Sequence, residues 1–373
     1  MPEKKLTVAY FGNYDPLYTR VRTVIKGLRK NNVKVIECRS NHRNRLRRLA
    51  ILAVNYFKIQ GKIDAILVSE GGQSYVPLAK ILSFLTRKPL IFDAFISYYH
   101  VKAIDTSDVR PDSIKGRFFY YRDKISCLLA DKVLLDTKEH AEYFCKEFGL
   151  PRSKFEIVPV GSDEDFFYPE KSWARKKGGD FVVFLVSSYY PLHGVDYVVR
   201  AAKILEKYSD IKFLIIGDGI TKQKVLSLAN DLNVKNIIFR GSVYPDVLPD
   251  FMASADVCLG QFGGTEQGHM VVPAKVYDAL AMAKPVITGN GMAAKTMFKH
   301  QEHLLFCPFA DAETIANTIV ALKTDKELRD QLAANGHKFF KENFNLQKVG
   351  SMVRAIIEKQ IDRSKATYSH NNS

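Results

Sequence analysis

Short runs of Val, Ile, Leu and Phe recur along the chain, each followed by a longer segment whose apolar positions repeat every three or four residues. The first pattern reads as a buried strand and the second as a helix with one apolar face. In the first half the runs predict strands over 6–12, 33–39, 65–70, 89–95, 132–137 and 155–161. Helices are predicted between them over 17–30, 75–85, 113–129 and 138–148. In the second half the predicted strands are 181–187, 212–218, 236–242, 257–262, 285–290 and 304–309. The accompanying helices are 195–208, 220–232, 247–254, 274–282, 312–324 and 326–343, with a last helix over 346–362. Alternation of this kind implies an α/β fold of doubly wound parallel sheets.

The stretch 162–180, SDEDFFYPEKSWARKKGGD, is polar, contains Pro169 and paired glycines, and has no period, so it reads as a linker. The chain is therefore expected to hold one Rossmann-like domain over 1–165 and a second over 166–345, with a C-terminal helical segment over 346–373 whose end, 366–373, frays. A length of 373 residues suits two such domains. No internal repeat of domain-building size is evident.

Composition changes this picture only where it excludes something. With 46% hydrophobic and 12% aromatic residues the chain can build two cores, which rules out a disordered polymer. Its five cysteines, Cys38, Cys127, Cys145, Cys258 and Cys307, are scattered and form no CxxC, so reduced thiols in a cytoplasmic protein are expected, with no zinc site and no disulfide framework. The start, MPEKKLTVAYF, enters a strand pattern at once and predicts no signal peptide. Apolar runs such as Leu49–Val54 are far short of a membrane span.

The net charge of +15 is unevenly placed: between Arg20 and Arg48 there are eleven Lys or Arg and a single acid, Glu37. In NHRNRLRRLAILAVNYFKIQ (41–60), Leu46, Leu49, Ala53 and Phe57 lie at helical spacing beside Arg43, Arg45, Arg47 and Arg48. Such a helix can rest on an anionic leaflet or on an anionic acceptor; the plainer alternative is a sheet-covering helix with a basic, solvated end. Basic charge alone, with no recognition motif, gives no reason to expect nucleic acid.

Candidate chemistry concentrates in residues 273–287, PAKVYDALAMAKPVI, read as a short helix running into a strand. Lys275 and Asp278 are three residues apart and share a helical face near its amino end, where a phosphate is favoured. On spacing alone, a surface Lys–Asp pair on an ordinary helix is the plainer reading. The wording around the pair, PAKVYDALAMAKPVITGNG, resembles the donor-site helix of the family 4 retaining glycosyltransferases, which have the GT-B fold of two Rossmann-like domains. Further matches follow in family order: Val158-Pro159-Val160-Gly161-Ser162-Asp163 with Phe167 and Pro169, Pro191-Leu192-His193-Gly194-Val195-Asp196, and Gly217-Asp218-Gly219. The resemblance covers most of the chain, is strongest from about residue 130 onward, and is weak in the first hundred residues.

The resemblance implies a nucleotide diphosphate-sugar as donor, a lipid-linked or glycan acceptor, retention of anomeric configuration, and no metal or other cofactor. It also implies that the last helix crosses back onto the first domain. A ligand in open α/β sheets sits at the carboxyl ends of the strands, which nominates Ser187, Ser188, His193, Gly217, Gly241 and the loop with Glu266, Gly268, His269 and Met270 on the second domain, and Gly12 and Asn13 on the first. Asp93 stands where many relatives carry a sugar-contacting histidine, and His100 follows in the same loop. Two departures are visible. Relatives place an arginine and a lysine where this chain has Ser188 and His193, which leaves Lys275 as the main cation for the leaving diphosphate. Relatives also pair two glutamates eight positions apart; Asp278 fills the second place, but Met270 stands in the first, with Glu266 or His269 as substitutes if the loop runs differently. The acidic triplet Asp163-Glu164-Asp165 fits a D-x-D metal pattern but lies in the linker, so no metal site is assigned.

The expected function is transfer of a sugar to a cell-envelope or glycan acceptor at the cytoplasmic face of a membrane. Two other functions fit the same fold: a sugar-nucleotide epimerase, and a degenerate member acting as a binding or scaffold subunit.

Overall fold

The computed structural model describes residues 5–169 and 179–370. Part of the predicted linker, 170–178, lies outside the described residues, as do 371–373 of the end expected to fray; the remainder of that end, 366–370, continues the last helix instead. Among the described residues twelve strands form two six-stranded sheets, parallel throughout. The first contains β1 (Thr7–Gly12), β2 (Lys34–Arg39), β3 (Ala65–Val68), β4 (Leu90–Asp93), β5 (Lys132–Leu135) and β6 (Phe155–Ile157), in the order β2-β1-β3-β4-β5-β6. The second contains β7 (Phe181–Val186), β8 (Ile211–Ile216), β9 (Ile237–Arg240), β10 (Val257–Leu259), β11 (Val286–Gly289) and β12 (Leu305–Cys307), in the order β12-β11-β10-β7-β8-β9. Both orders are those of a doubly wound α/β fold, and the two sheets together make the GT-B architecture.

Helices α1 (Thr19–Lys30), α2 (Arg45–Ile59), α3 (Val76–Thr86), α4 (Ile114–Leu129) and α5 (Lys138–Phe148) connect the strands of the first sheet. In the second, α6 (Val195–Ile204), α7 (Lys222–Asp231), α8 (Leu248–Ala253), α9 (Glu266–Met270), α10 (Ala274–Ala281), α11 (Met292–Met297), α12 (Ala312–Thr324) and α13 (Lys326–Asn343) flank the strands, and α14 (Leu346–His370) follows. The strand runs end earlier than predicted because Ser69–Glu70, Ala94–Phe95 and Ser187 leave the ladder to form loops at the carboxyl edge. Two short helices, α9 and α11, and a π-helical turn at His100–Asp105 were not predicted; none is long enough to show an apolar period.

Successive strand residues point to opposite faces, and this assigns the helices. Val8, Tyr10, Leu67, Ile91 and Leu134 pack with α1 and with Val349, Val353 and Ile357 of α14. Ala9, Phe11, Ile66, Val68, Phe92 and Val133 pack on the other face with α2, α3 and α5 through Leu52, Tyr56, Val76, Ala79, Phe144 and Phe148. The α1–α14 crossing is close enough that a Cβ at Gly350 would lie 2.0 Å from the Gly27 carbonyl oxygen, so only glycine fits there. Asn31 at the end of α1 donates to the Gln347 carbonyl at 2.9 Å and accepts from Arg354 through its own carbonyl at 2.9 Å.

The chain divides into two units between Val160 and Gly161, and Leu346 returns it to the first. The turn Ser162–Asp165 thus stands with the second unit, where the Ser162 amide donates to the Phe344 carbonyl at 3.3 Å.

Candidate functional site

In the second unit the Lys275–Asp278 pair lies in the first turns of α10, behind an N-cap, Pro273, that offers no side-chain cap. Helix α10 has both residues buried. Lys275 is only 8% exposed, and its Nζ is buried with no hydrogen-bond partner among the described residues. Burial lowers its pKa to about 7, because an unpaired ammonium in the interior loses its hydration without compensation. Such a group is suited to an anion, which would supply the missing charge and acceptor, and the adjacent helix end favours one. Asp278, one turn on, accepts the Ser162 hydroxyl hydrogen at 2.6 Å through Oδ1.

His193 closes a short helical turn, Pro191–His193, after β7. It is buried, and its pKa is lowered well below the ordinary value by that burial and then by the nearby charge of Lys275. Its Nδ1 is 2.9 Å from Ser187 Oγ, and that oxygen accepts from the Tyr189 amide at 3.0 Å. With the amide on its lone pair, the Ser187 hydroxyl can give its proton to Nδ1, which places the imidazole proton on Nε2 as a neutral donor. The turn is locked by the Phe262 amide on the His193 carbonyl at 3.1 Å and the Gly263 amide on that of Leu192 at 3.0 Å. Gly217 supports it from β8: with φ at +136°, a Cβ there would lie 1.9 Å from the Ser187 carbonyl oxygen. Ser187 was nominated from sequence with Ser188 at the end of its strand; Ser162 and the loop-fixing Gln261 were not singled out as site residues, although Ser162 lies in the quoted motif Val158–Asp163. Gln261 donates to the carbonyls of Gly268 and Val271 at 2.9 and 3.0 Å.

The loop before α10 is built differently from expectation. The Gly268 amide is taken by Thr265 Oγ at 3.1 Å and the His269 amide by the Thr265 carbonyl at 3.3 Å, so neither is offered to a ligand. Met270 is buried. His269 rests edge-on against Phe309, ring centres 4.8 Å apart, and Glu266 is exposed in the first turn of α9. Ser188 and Gly241 are exposed, and nothing lies within 4 Å of a Cβ at Gly241.

In the first unit, Gly12 ends β1 with φ at +141°, and a Cβ there would meet Ser69 Oγ at 2.8 Å; Asn13 follows, half-buried. Asp93 is not offered at its strand end. It is fully buried against Arg20, whose Nε reaches its two oxygens at 2.9 and 3.2 Å and whose Nη2 reaches Oδ1 at 3.0 Å. The same guanidinium donates through Nη1 to the carbonyls of Val158 and Pro159 at 2.7 and 2.9 Å, tying β4 to the chain after β6. His100 is likewise withdrawn: it is buried edge-on to Tyr143, ring centres 4.7 Å apart, with neither ring nitrogen hydrogen-bonded among the described residues. Both positions expected to contact a sugar are thus packed into the interior. A carboxyl that sequence inspection missed, Glu70 at the end of β3, is half-buried with its pKa raised to about 7 by burial and the charge of Asp93.

Of the four arginines, Arg43, Arg45 and Arg47 are exposed. Arg48 folds inward, donating to the His42 carbonyl at 2.7 Å and to Tyr75 Oη at 2.6 Å, and so clamps α2 to α3 rather than facing outward.

Residues 169–339 match the family model described as glycosyl transferases group 1. An uncharacterized glycosyltransferase of Methanocaldococcus jannaschii is 23% identical over 233 residues, covering 57% of this chain and 56% of its own. The phosphatidyl-myo-inositol mannosyltransferase of Mycobacterium leprae is 28% identical over 182 residues, covering 48% of this chain and 46% of its own. The chain thus spans about half the length of the curated relatives it matches. Anabaena HepE, solved in complex with UDP-glucose, superposes with a TM-score of 0.72 at 14% identity, over 95% of this chain and all of its own, a likeness of fold.

Proposed function

We propose, from the match of residues 169–339 to the glycosyl transferases group 1 model, that this chain transfers a sugar from a nucleotide diphosphate-sugar to a cell-envelope or glycan acceptor, with retention of configuration. The observation that carries this is the buried, unpartnered Lys275 Nζ at the head of α10, beside the neutral His193. In this reading the diphosphate lies on Lys275 and the first amides of α10, and His193 Nε2 donates to it. Asp278, held by Ser162, takes the ribose hydroxyls. As the bond from the anomeric carbon to the diphosphate breaks, the acceptor oxygen bonds to the same face and its proton passes to the departing phosphate oxygen. Charge on that oxygen falls to Lys275 in place of a metal, so activity is expected to persist in chelator. The exposed Arg43, Arg45 and Arg47 are proposed to hold the enzyme at the cytoplasmic face of an anionic membrane, where a lipid-linked acceptor is presented.

The testing experiment is calorimetric titration with UDP, GDP, ADP and their sugar conjugates, UDP-glucose first because Anabaena HepE was solved with it. Saturable binding of one base class supports the reading; silence across the panel overturns it. A second reading, a binding subunit without turnover, is favoured by the buried Met270, which leaves Asp278 without the paired carboxylate expected at that position. Donor binding with no transfer to any acceptor would select it.

A further inference from the structure

Helix α4 meets the core through Cys127, Tyr120 and Leu129, yet buries polar side chains and exposes large hydrophobic ones. Its buried positions include Gly116, Asp123, Ser126 and Cys127, with Asp123 accepting from Ser97 Oγ and the Tyr99 amide, each at 2.9 Å, and Ser126 donating to the Gln73 carbonyl at 2.9 Å. Its exposed hydrophobic positions are Ile114, Phe118, Tyr121, Ile125 and Leu128, spaced four and three apart as one stripe, with Ile114 91% exposed; Lys115 and Arg117 are exposed beside it. Scattered exposed hydrophobes are ordinary; a stripe opposite buried polar side chains is not. Helix α3 packs between α4 and α2 and extends the patch with Ile81, Phe84 and Leu85, Phe84 being 74% exposed. Helix α2 adds Leu46, Val54 and Phe57.

The charge on the same three helices has one sign. Arg45, Arg47, Lys58, Lys115, Arg117 and Lys124 are exposed or half-buried, Lys80 pairs with Asp131 at 2.8 Å, Arg48 and Arg122 turn inward onto Tyr75 and onto Tyr98, Phe118 and Phe119, and the one acid, Asp123, is buried. Arg45 and Arg47 occupy the first turn of α2, which contains no acid, so the helix dipole opposes them. A position that breaks a local stability rule without local compensation marks a functional demand.

We propose that the α2–α3–α4 face is a bilayer-docking surface, with the α4 stripe entering the headgroup–acyl boundary of an anionic leaflet and the flanking lysines and arginines meeting its phosphates. This rests on the reading of the α2 arginines as the lipid-facing end and moves the main contact onto α4. The occupant follows from the pairing of properties. A second copy of the chain would set like charge against like. A nucleic acid backbone offers nothing to Ile114, Ile125 or Phe84. An anionic leaflet satisfies both the basic rim and the apolar stripe. Contact is superficial, since no helix among the described residues is long and apolar enough to cross a membrane.

The experiment is co-sedimentation of the full chain with vesicles of phosphatidylcholine alone or mixed with phosphatidylglycerol, at low and high salt. Two variants are compared with the wild type: Ile114→Ser with Phe118→Ser and Ile125→Ser, and Arg43→Gln with Arg45→Gln and Arg47→Gln. All six positions are exposed, and unchanged circular dichroism and nucleotide titration check that each variant is folded. Wild-type binding should need the anionic lipid and fall only in part with salt, the serine variant should bind about tenfold more weakly or less at either salt, and the glutamine variant should lose mainly the salt-sensitive part. Full binding by the serine variant together with loss by the glutamine variant would overturn this proposal and leave the arginine reading standing. Full binding by both, or no wild-type binding to anionic vesicles, would overturn both; a wild type that ignores vesicles but associates with acidic proteins would do the same.

Discussion

The Ser162 hydroxyl donates to Asp278 Oδ1 at 2.6 Å, although the two residues are 116 positions apart in the chain. The contact fixes one oxygen of a buried carboxylate and so sets where the other can point. If Asp278 receives the ribose diol, Asp278→Ala removes a charge-assisted hydrogen bond of about 2–3 kcal/mol, or roughly 30- to 150-fold in donor affinity. Ser162→Ala should cost only about threefold to tenfold, since it loosens the carboxylate without deleting it. Calorimetric titration of both variants with the donor decides this; unchanged affinity in Asp278→Ala would remove Asp278 from the site.

Asp93 is expected to act on stability instead of on donor binding. Its partner Arg20 is as buried as it is, so Asp93→Ala strands a guanidinium in the interior at a cost of about 3–5 kcal/mol. Urea unfolding should show a large drop in midpoint. Nucleotide affinity, measured at a temperature where the variant remains folded, should be unchanged. The opposite result, a stable variant with weakened sugar binding, would return Asp93 to the sugar-contacting role expected from sequence.

His100 supplies a pH prediction. Burial, aided by the charge of His140, lowers its pKa to about 4, whereas an unfolded histidine titrates near 6.5. The unfolded state therefore binds more protons in that window, and stability present above it is lost as pH falls from 6.5 toward 4, by up to about 1.4 kcal/mol per pH unit. Since neither ring nitrogen has a hydrogen-bond partner among the described residues, His100→Phe should keep the fold, preserve the edge contact with Tyr143, and flatten the acid limb of the urea midpoint against pH. An unchanged acid limb would mean that His100 is not the sensor, and a loss of transfer activity in the same variant would show that it touches substrate.

The parts of this molecule that were legible in sequence are those set by local pattern. Parallel strands covered on both faces read as continuous apolar runs, so all twelve runs are strands of the fold. The Lys275–Asp278 pair was legible because its helix runs straight into one of those strands. What was not legible depends on partners distant in sequence. Arg20 lies 73 positions from Asp93 and gives no local sign that it will neutralise it. The α4 apolar period was visible, but periodicity does not say which side of a helix meets the sheet. The α9 turn, five residues long, has no period at all, so the occupied amides of Gly268 and His269 could not be foreseen.

Lys275 couples function to stability in a way that one variant exposes. Its folded pKa is about 7 against an ordinary value of 10.5, so between those values the unfolded state binds the extra proton and the fold gains stability as pH rises. At neutral pH this burial works against the fold by on the order of 2–4 kcal/mol. Lys275→Met keeps much of the side-chain volume and removes the charge, so it should raise the urea midpoint at pH 7 while abolishing diphosphate binding. In the wild type, a bound diphosphate requires the ammonium form, so binding above pH 7 must take up a proton. Affinity should then fall by up to about tenfold per pH unit on the alkaline side. Titration in buffers of different ionisation enthalpy measures that proton directly: an uptake near zero across this range, or a methionine variant that is less stable yet still binds UDP, would show that Lys275 packs the interior and does not meet the phosphate.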